Sequence, residues 1–484
     1  MKTKICCAPL AFALALALGG CTVGPDYQRP QVATPAHYKE LPGWTQATPA
    51  SAAAPKGAWW TAFGDPLLDE LEPQVAVSNQ TVAQSYANYQ AALAEVNVAR
   101  SALFPTIGLS SSVSRQRSNS TSSRSGGNGP SVVNSGSIEG AVSWAPDLWG
   151  GVRRSVEENK ANAQASAATL ANATLSEQIA LATALIELRI TDANIDLLQK
   201  TVDAYRESLR VVTDQGEAGT APPSDVISAR VQLKNAQASL IALGVARAQY
   251  LHAIAVLVGK NPEELDIPHS TALPALPNVP VGVPSTLLQR RPDIAIAERQ
   301  MAAQNAAIGV AVAAYYPNLS LSAADGFAQS PIAGLLNIAN HVWSLGADLG
   351  VTLFEGGARH GRVAAAKAEY EAAVANYRGT VLTAFRNVED DLAGLRILAQ
   401  RAEVLDGAVQ DARRATEIAR NEYAAGTTDF TTVAVAQATQ LSTEQTALSV
   451  HQQRLLDTVS LIGDLGGGWS ADHLALASDS QAKH

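Results

Sequence analysis

The side chains able to do chemistry are few, and most are scattered. Three thiols, Cys6, Cys7 and Cys21, fall within the first 21 of 484 residues. Lys2 and Lys4 precede an apolar run from about Ala8 to Leu18 and the small residues Gly19 and Gly20, which reads as a bacterial secretion signal. The run is about half of the ~20 residues that a membrane-crossing helix needs, so it reads as cleaved. Cys6 and Cys7 leave with it, Cys21 remains alone, and no disulfide can form within one mature chain. No Gly-rich phosphate loop, paired-Cys metal spacing or Ser nucleophile elbow is present, and the eight His are dispersed. His341, His360 and His451 read as solvated positions, and Glu389-Asp390-Asp391 as the solvated face of a long helix. Neither catalysis nor a bound cofactor or metal is expected. A net charge of −9 and a pI near 5.5 leave no basic stripe for nucleic acid.

The chemistry that remains is acylation. Leu18-Gly19-Gly20-Cys21 resembles the lipobox of bacterial lipoproteins, in which the cysteine becomes the acylated first residue, and Thr22 stands where an Asp would favour retention at the inner membrane. The alternative is an incidental cysteine. Aromatic residues are only 5% and Met only 2, while Ala, Gln and Leu dominate long stretches, which favours extended coiled helices over a thick globular core. No later segment reaches 18 uninterrupted apolar residues, so no membrane-spanning helix is expected. If the mature chain crosses a membrane, it does so with strands.

The chain is written twice. Residues 99–109, centred on Phe104-Pro105, match residues 311–321, centred on Tyr316-Pro317, at an offset of 212. Asp147-Leu148-Trp149-Gly150-Gly151-Val152-Arg153 parallels Leu353-Phe354-Glu355-Gly356-Gly357-Ala358-Arg359 at 206, and Gly219-Thr220 parallels Gly426-Thr427 at 207. Each half reads helix, strand, loop, strand, very long helix, Gly turn, long helix. From Gly150 to Thr213 the apolar positions keep a seven-residue period: Leu181, Leu188, Ile195, Val202 and Leu209, with Ala184, Leu198, Tyr205 and Val212 beside them. This is a coiled-coil seam. Val226, Leu233, Leu240 and Ile254 continue it, broken at Arg247, and the last helix carries Ala434, Leu441, Leu448, Leu455 and Ile462.

The strands show period two. Trp343, Leu345, Ala347, Leu349, Val351 and Leu353 alternate with small or polar residues, as when one face meets lipid and the other a wet lumen. Ile138, Gly140, Val142 and Trp144 repeat the pattern, and Ile107, Leu109, Ser111 and Val113, then Leu319, Leu321 and Ala323, supply two more strands. Ser114 to Ser137 and Asp325 to His341 read as loops between paired strands. Four strands cannot close a conducting barrel, and open edges are not tolerated in lipid, so a membrane-inserted form must oligomerise.

Cys21-Thr22-Val23-Gly24-Pro25-Asp26-Tyr27, Trp59-Trp60 with Phe63-Gly64-Asp65-Pro66, Asp147-Leu148-Trp149-Gly150, Arg290-Arg291-Pro292-Asp293 and Gly466-Gly467-Gly468-Trp469 resemble the signature stretches of the TolC-like outer-membrane factors, in the lipoprotein branch called the NodT family. The resemblance implies a mixed, mainly α fold. Long antiparallel coiled helices would form a trimeric periplasmic α-barrel, and four strands per subunit would join a shared twelve-stranded transmembrane barrel. It implies an efflux duct in the outer membrane, lipid-anchored at Cys21. The implied partners are two further copies, outer-membrane lipid, a periplasmic adaptor of the membrane-fusion class and an inner-membrane resistance-nodulation-division transporter.

The expected organisation is a signal at 1–20, a lipidated and equatorial segment at 21–70 and a first repeat at 71–270 with strands near 105–116 and 135–149. A Pro-rich connector at 271–290 leads to a second repeat at 291–469, with strands near 317–327 and 342–354, and a tail at 470–484. In the family a gate closes the periplasmic entrance, with carboxylates six and nine residues after the second turn glycine. Those positions here are Thr432 and Val435, and Asp429 is the nearest substitute. Asp225 and Tyr423 match a pair that in relatives links neighbouring coils. A carboxylate-to-phenol latch and a helix-capping Asp beside a packed Tyr both fit them.

Overall fold

The computed structural model describes residues 22–35, 37–40, 58–118, 131–277, 279 and 287–471. The signal stretch, Cys21, the middle of the first loop, Pro280, Pro284 and residues 472–484 lie outside them. Eight α-helices and four strands are seen among the described residues. Helix α1, Pro66–Ser78, starts because the Asp65 carboxylate accepts from the Leu67 N–H at 2.9 Å and Pro66 pre-sets the first turn. Asn79 interrupts it with extended dihedrals and restarts the chain as α2, Gln80–Ser101, its side chain accepting from the Thr81 and Val82 N–H groups. Pro105 then forbids further helix, and β1, Thr106–Ser118, begins. After β2, Ser131–Trp144, comes α3, Gly151–Glu217, and after a turn α4, Pro223–Leu257. The second half holds α5, Leu287–Arg290, α6, Pro292–Ala313, β3, Asn318–Gln329, β4, His341–Gly350, α7, Ala358–Ala424, and α8, Phe430–Asp464.

The duplication is visible in lengths. Helices α3 and α7 have 67 residues each, α4 and α8 have 35 each, and 67 residues span about 100 Å at ~1.5 Å per residue. The strand-to-helix junctions repeat too. Asp147 accepts from the Val152 and Arg153 N–H groups and from Arg153 Nε, and Glu355 accepts from the Arg359 N–H and Nε.

Contacts divide the chain into two compact units. The first (residues 1–30, 90–165 and 298–376) holds the sheet, in the order β1-β2-β3-β4, antiparallel throughout. One face carries Ile107, Leu109 and Val113 opposite Val142, Gly140 and Gly136, then Leu321 and Ala323, then Trp343, Leu345 and Leu349. The largest of these side chains stand in the open, Ile107 at 80% and Leu345 at 76% of full exposure. The other face carries a ladder of hydroxyl pairs: Thr106 with Ser143 at 2.7 Å, Ser112 with Ser137 at 2.9 Å and Ser114 with Ser135 at 2.7 Å. Large apolar side chains standing open on the outer strands, which with their neighbours are 10 to 14 residues long, fit hydrocarbon rather than water. Gly326 is required where β3 meets β2, since a Cβ there would lie 2.2 Å from the Ile138 carbonyl oxygen.

Two sequence expectations shift here. β2 ends at Trp144 and β4 at Gly350, so Val351 and Leu353 follow the strand rather than extend it. Thr106 opposes Ser143 and Asn318 opposes Gly350, so the strands repeat at offsets of 212 and 207. The 206 at the glycine pairs reflects one residue fewer between β4 and α7.

Also in the first unit, residues 22–30 run as a strap. Arg154, almost fully buried, donates to the Val23 and Gly24 carbonyls and to Asp26 (2.7 Å), and Asn305 donates to the Pro25 carbonyl. Gly24 takes φ +94° with its Cα side against Gly309, where a Cβ would come within 2.5 Å of the Gly309 Cα.

The second unit (residues 31–89, 166–297 and 377–484) packs Phe63, Leu181, Leu188, Val381, Leu392, Leu455 and Leu461 into its core. The Ala275 N–H donates to the Phe63 carbonyl and the Ala471 N–H to the Gln289 carbonyl, so the connector touches the 21–70 segment and the start of the tail touches the end of the connector. Arg247, which breaks the seam row of α4, pairs with fully buried Asp192 at 2.7 Å and donates to the Ile267 carbonyl. Helix α4 departs from expectation: its mean hydropathy reaches 1.6 over 18 residues, apolar enough by length and composition to cross a membrane. Counting uninterrupted apolar residues misses this, because Arg247, Gln249 and His252 interrupt the Leu, Ile, Ala and Val of its C-terminal half.

Candidate functional site at the helical turns

All five residues singled out for a gate lie near two turns in the second unit. Helix α3 ends in a turn where Gly219 takes φ +75°, and α7 ends in one where Gly426 takes φ +71°. Their bonding is the same. The Thr220 N–H and hydroxyl both donate to the Gln215 carbonyl, and the Thr427 N–H and hydroxyl both donate to the Glu422 carbonyl. The next helices start differently. Pro222 and Pro223 open α4 without a side-chain cap, whereas Asp429 caps α8, accepting from the Thr432 N–H at 3.1 Å and its hydroxyl at 3.0 Å. Asp429 and Thr432 are thus brought together, as a cap. Val435 is largely exposed, one turn further along α8.

Beneath the turns, Val212 of α3, Ala229 of α4, Ala419 of α7 and Phe430 and Val433 of α8 form one buried cluster, joined by Tyr423 and Val226. Tyr423 meets Phe430 edge-to-face at 5.8 Å. Its hydroxyl is buried with no hydrogen-bond partner. Burial raises its pKa, and the nearby Asp225 carboxylate raises it further. The carboxylate-to-phenol hydrogen bond is not made within one subunit. Asp225 lies in the first turn of α4 and accepts a long hydrogen bond from the Ser224 hydroxyl.

One feature of α8 escapes a reading based on apolar rows. Phe430, Gln437, Glu444, His451 and Thr458 recur every seven residues, and after Phe430 the row is polar yet turned inward. Gln437 donates to the Ser208 hydroxyl of α3, and Arg413 of α7 donates to Glu444 at 2.6 Å. The Gln437 carbonyl oxygen and His451 Nε2 are buried without partners. His451 is half-buried rather than solvated, and burial together with Arg454 lowers its pKa against the opposing pull of Asp406. An 830 Å³ groove runs along this row, lined by Leu197 and Lys200 of α3, Asp406 and Arg413 of α7, and Gln440 and Leu448 of α8. The signal was a seven-residue spacing of polar residues flanking the leucines.

The acidic run also differs from expectation. Glu389 accepts from the Lys39 and Glu40 N–H groups, and of the three only Asp390 is exposed. Asp391 is pushed up to about 8 by burial and by Asp464, Asp457 and Asp390. His341 pairs with Asp325 at 2.8 Å, and His360 is exposed. Among the described residues no group of three or more His, Cys, Asp or Glu could hold a metal ion.

Two long helical hairpins with a two-faced sheet have close counterparts. The outer-membrane channel OprN superposes with a TM-score of 0.86 at 29% identity, over 93% of this chain and all of that one. The open state of the MtrE channel of Neisseria gonorrhoeae superposes at 0.81 and 25% identity, over 93% and 99%. The class is that of trimeric outer-membrane channels combining a helical barrel with a β-barrel. Solvent efflux pump outer membrane protein SrpC of Pseudomonas putida is 32% identical over 472 residues, 95% of this chain and 97% of that one. Outer membrane protein OprJ of Pseudomonas aeruginosa is 28% identical over 468 residues, 95% of both. Residues 71–260 and 283–467 match the family described as outer membrane efflux protein, and the chain belongs to that family. It is an efflux channel of the outer membrane with a periplasmic extension.

Proposed function

We propose that the chain acts as a passive duct, without catalysis, for a tripartite pump whose energy comes from an inner-membrane resistance-nodulation-division transporter and whose middle link is a periplasmic adaptor. The observation that carries this is the pairing of a lipid-length, two-faced sheet with duplicated 67-residue helices. Each subunit contributes two repeats, at 71–270 and 291–469, joined by the 271–290 connector. The names of relatives cite solvent, toluene and antibiotic export, which supports small organic molecules as cargo. The purified protein in planar bilayers conducts in discrete steps under this reading, and a protein that inserts without conductance would refute it.

Cys21 is the proposed lipid site. Cys21→Ala loses the mass of the acyl groups on the mature N-terminal peptide and leaves less protein in the outer-membrane fraction, by several-fold. A parent N-terminal peptide whose mass includes no acyl groups would remove the anchor from the account.

The proposed gate lies at the two turns, and the groove along the polar row of α8 is the proposed adaptor contact. Tyr423, buried without a partner in one subunit, takes Asp225 as its acceptor when the coils close in the assembly, with Asp429, Thr432 and Val435 at the mouth. Such a latch contributes about 1–3 kcal/mol, enough to shift the open population roughly 5- to 150-fold. Asp225→Ala therefore raises the open probability of the isolated channel in bilayers. Unchanged open times would leave Asp225 as a helix-start residue only.

A further inference from the structure

We infer the register at which neighbouring subunits close the barrel: Trp343 of β4 stands opposite Arg117 of the partner subunit, and Leu345 opposite Arg115 of the partner subunit. The inference rests on the trimeric assembly of the class. Within one chain the edge strands of the sheet are β1 and β4, and both must be paired in lipid.

The duplication supplies the missing pairing. Thr106↔Ser143 and Asn318↔Gly350 are the same pair in the two repeats, so β1 maps onto β3 by 212 and β2 onto β4 by 207. The β2-to-β3 pairing inside one chain is then the counterpart of the pairing between β4 and the next subunit's β1. Gly136↔Gln329 carries over to 343 against 117, Ile138↔Phe327 to 345 against 115, and Gly140↔Asp325 to 347 against 113. Each of these three pairs joins two residues of the face that carries the apolar side chains, and the pairs between them join two residues of the other face, as the pleat requires. A slip by one residue would set Leu345 against Ser114 or Gln116.

The register also accounts for the charged residues on an otherwise apolar face. Arg115, Arg117, Asp325 and His341 all belong to that face and lie toward the two loops. The partner's Arg117 falls beside Trp343, Trp343 stands opposite Asp325, and Asp325 pairs with His341. A guanidinium against an indole face and a carboxylate one strand away form a continuous row across the seam.

A geometric consequence follows. The pairs Leu109↔Gly140, Gly140↔Asp325 and Asp325↔Trp343 lead on to the partner's Arg117, a shift of eight residues per subunit. Over three subunits the shear is about 24 for twelve strands. With ~3.3 Å per residue and ~4.8 Å between strands, the strands tilt about 54° and the backbone cylinder is about 32 Å across. A register two residues lower gives about 46° and about 27 Å.

Cysteine pairs in the full-length lipidated protein test this, read on a non-reducing gel of the outer-membrane fraction after mild oxidation. Leu345→Cys with Arg115→Cys, and independently Ala347→Cys with Val113→Cys, yield covalent dimers and trimers. Leu345→Cys with Val113→Cys does not. Linkage of that last pair in place of the first, or no linkage in any pair despite an intact heat-dissociable trimer band, overturns the register. Absence of the trimer band in the unmodified protein overturns the assembly on which it rests.

Discussion

Replacing Glu72 with leucine raises the thermal stability of the protein and flattens its loss of stability toward alkaline pH. Glu72 lies in α1 with no exposed surface, and neither carboxylate oxygen has a hydrogen-bond partner. Burial alone pushes its carboxyl up to about 9, so the side chain is a neutral acid at pH 7. The sign follows from linkage. Its folded value lies above its unfolded one, so its contribution is most favourable below about pH 4.5 and is lost as the pH rises through 9. Between those limits stability falls by up to about 1.4 kcal/mol per pH unit. Asp391, pushed up to about 8, acts with the same sign. Glu72→Leu removes the first slope and the desolvation of an unpartnered polar group, together about 2–4 kcal/mol near neutral pH. Melting in detergent at pH 5, 7 and 9 gives a gap between variant and parent that widens with pH. A gap independent of pH would mean that Glu72 is partnered in the assembly.

Arg291→Met has the opposite and larger expected effect. Arg291 is buried, contacts Asp464 at 2.6 Å, donates to the Asp464 main-chain carbonyl, and holds Asp293 through Nε and Nη2. Asp464 in turn faces Asp391, near Asp457. Removing this cation leaves the Asp464 carboxylate largely buried without its guanidinium, which costs about 3–5 kcal/mol. The trimer band weakens and melts earlier. Arg291→Lys restores little, because one ammonium cannot reproduce the forked contacts. Adding Asp464→Asn to Arg291→Met recovers part of the loss. Melting of the single variant within about 1 kcal/mol of the parent would show that the cluster tolerates its own charge.

Much of the architecture is legible because each element carries its own period. Seven-residue rows mark α3, α4 and α8, and alternation marks β4, since a helix seam and a two-faced strand impose those spacings locally. Contacts between distant stretches are not legible that way. Arg290-Arg291-Pro292-Asp293 and Gly466-Gly467-Gly468-Trp469 stand out separately in the sequence. In the fold Gly466 presses on Arg290, where a Cβ would lie 2.1 Å from the Arg290 carbonyl oxygen and so has no room, while Arg291 bonds Asp464. The run Glu389-Asp390-Asp391 reads as surface because nothing nearby in sequence shows that Asp457 and Asp464 will meet it. Similarly, Glu72 and the inward row Gln437, Glu444, His451 and Thr458 are polar by type, and type alone places them outside. For the gate, the turns and the Asp429 cap are legible as glycine and cap chemistry, whereas the unpartnered Tyr423 hydroxyl depends on how four helices converge.

The two turns share the bonds made at their glycines and the threonines after them, yet differ in how the following helix begins, prolines in one and an Asp–Thr cap in the other. Three subunits therefore present six hairpin ends of two chemical kinds, three of each, so the mouth is threefold and only approximately sixfold. A ring of six identical proteins docking there would be split into two non-equivalent sets of three, one bound next to rigid proline starts and the other next to Asp–Thr caps.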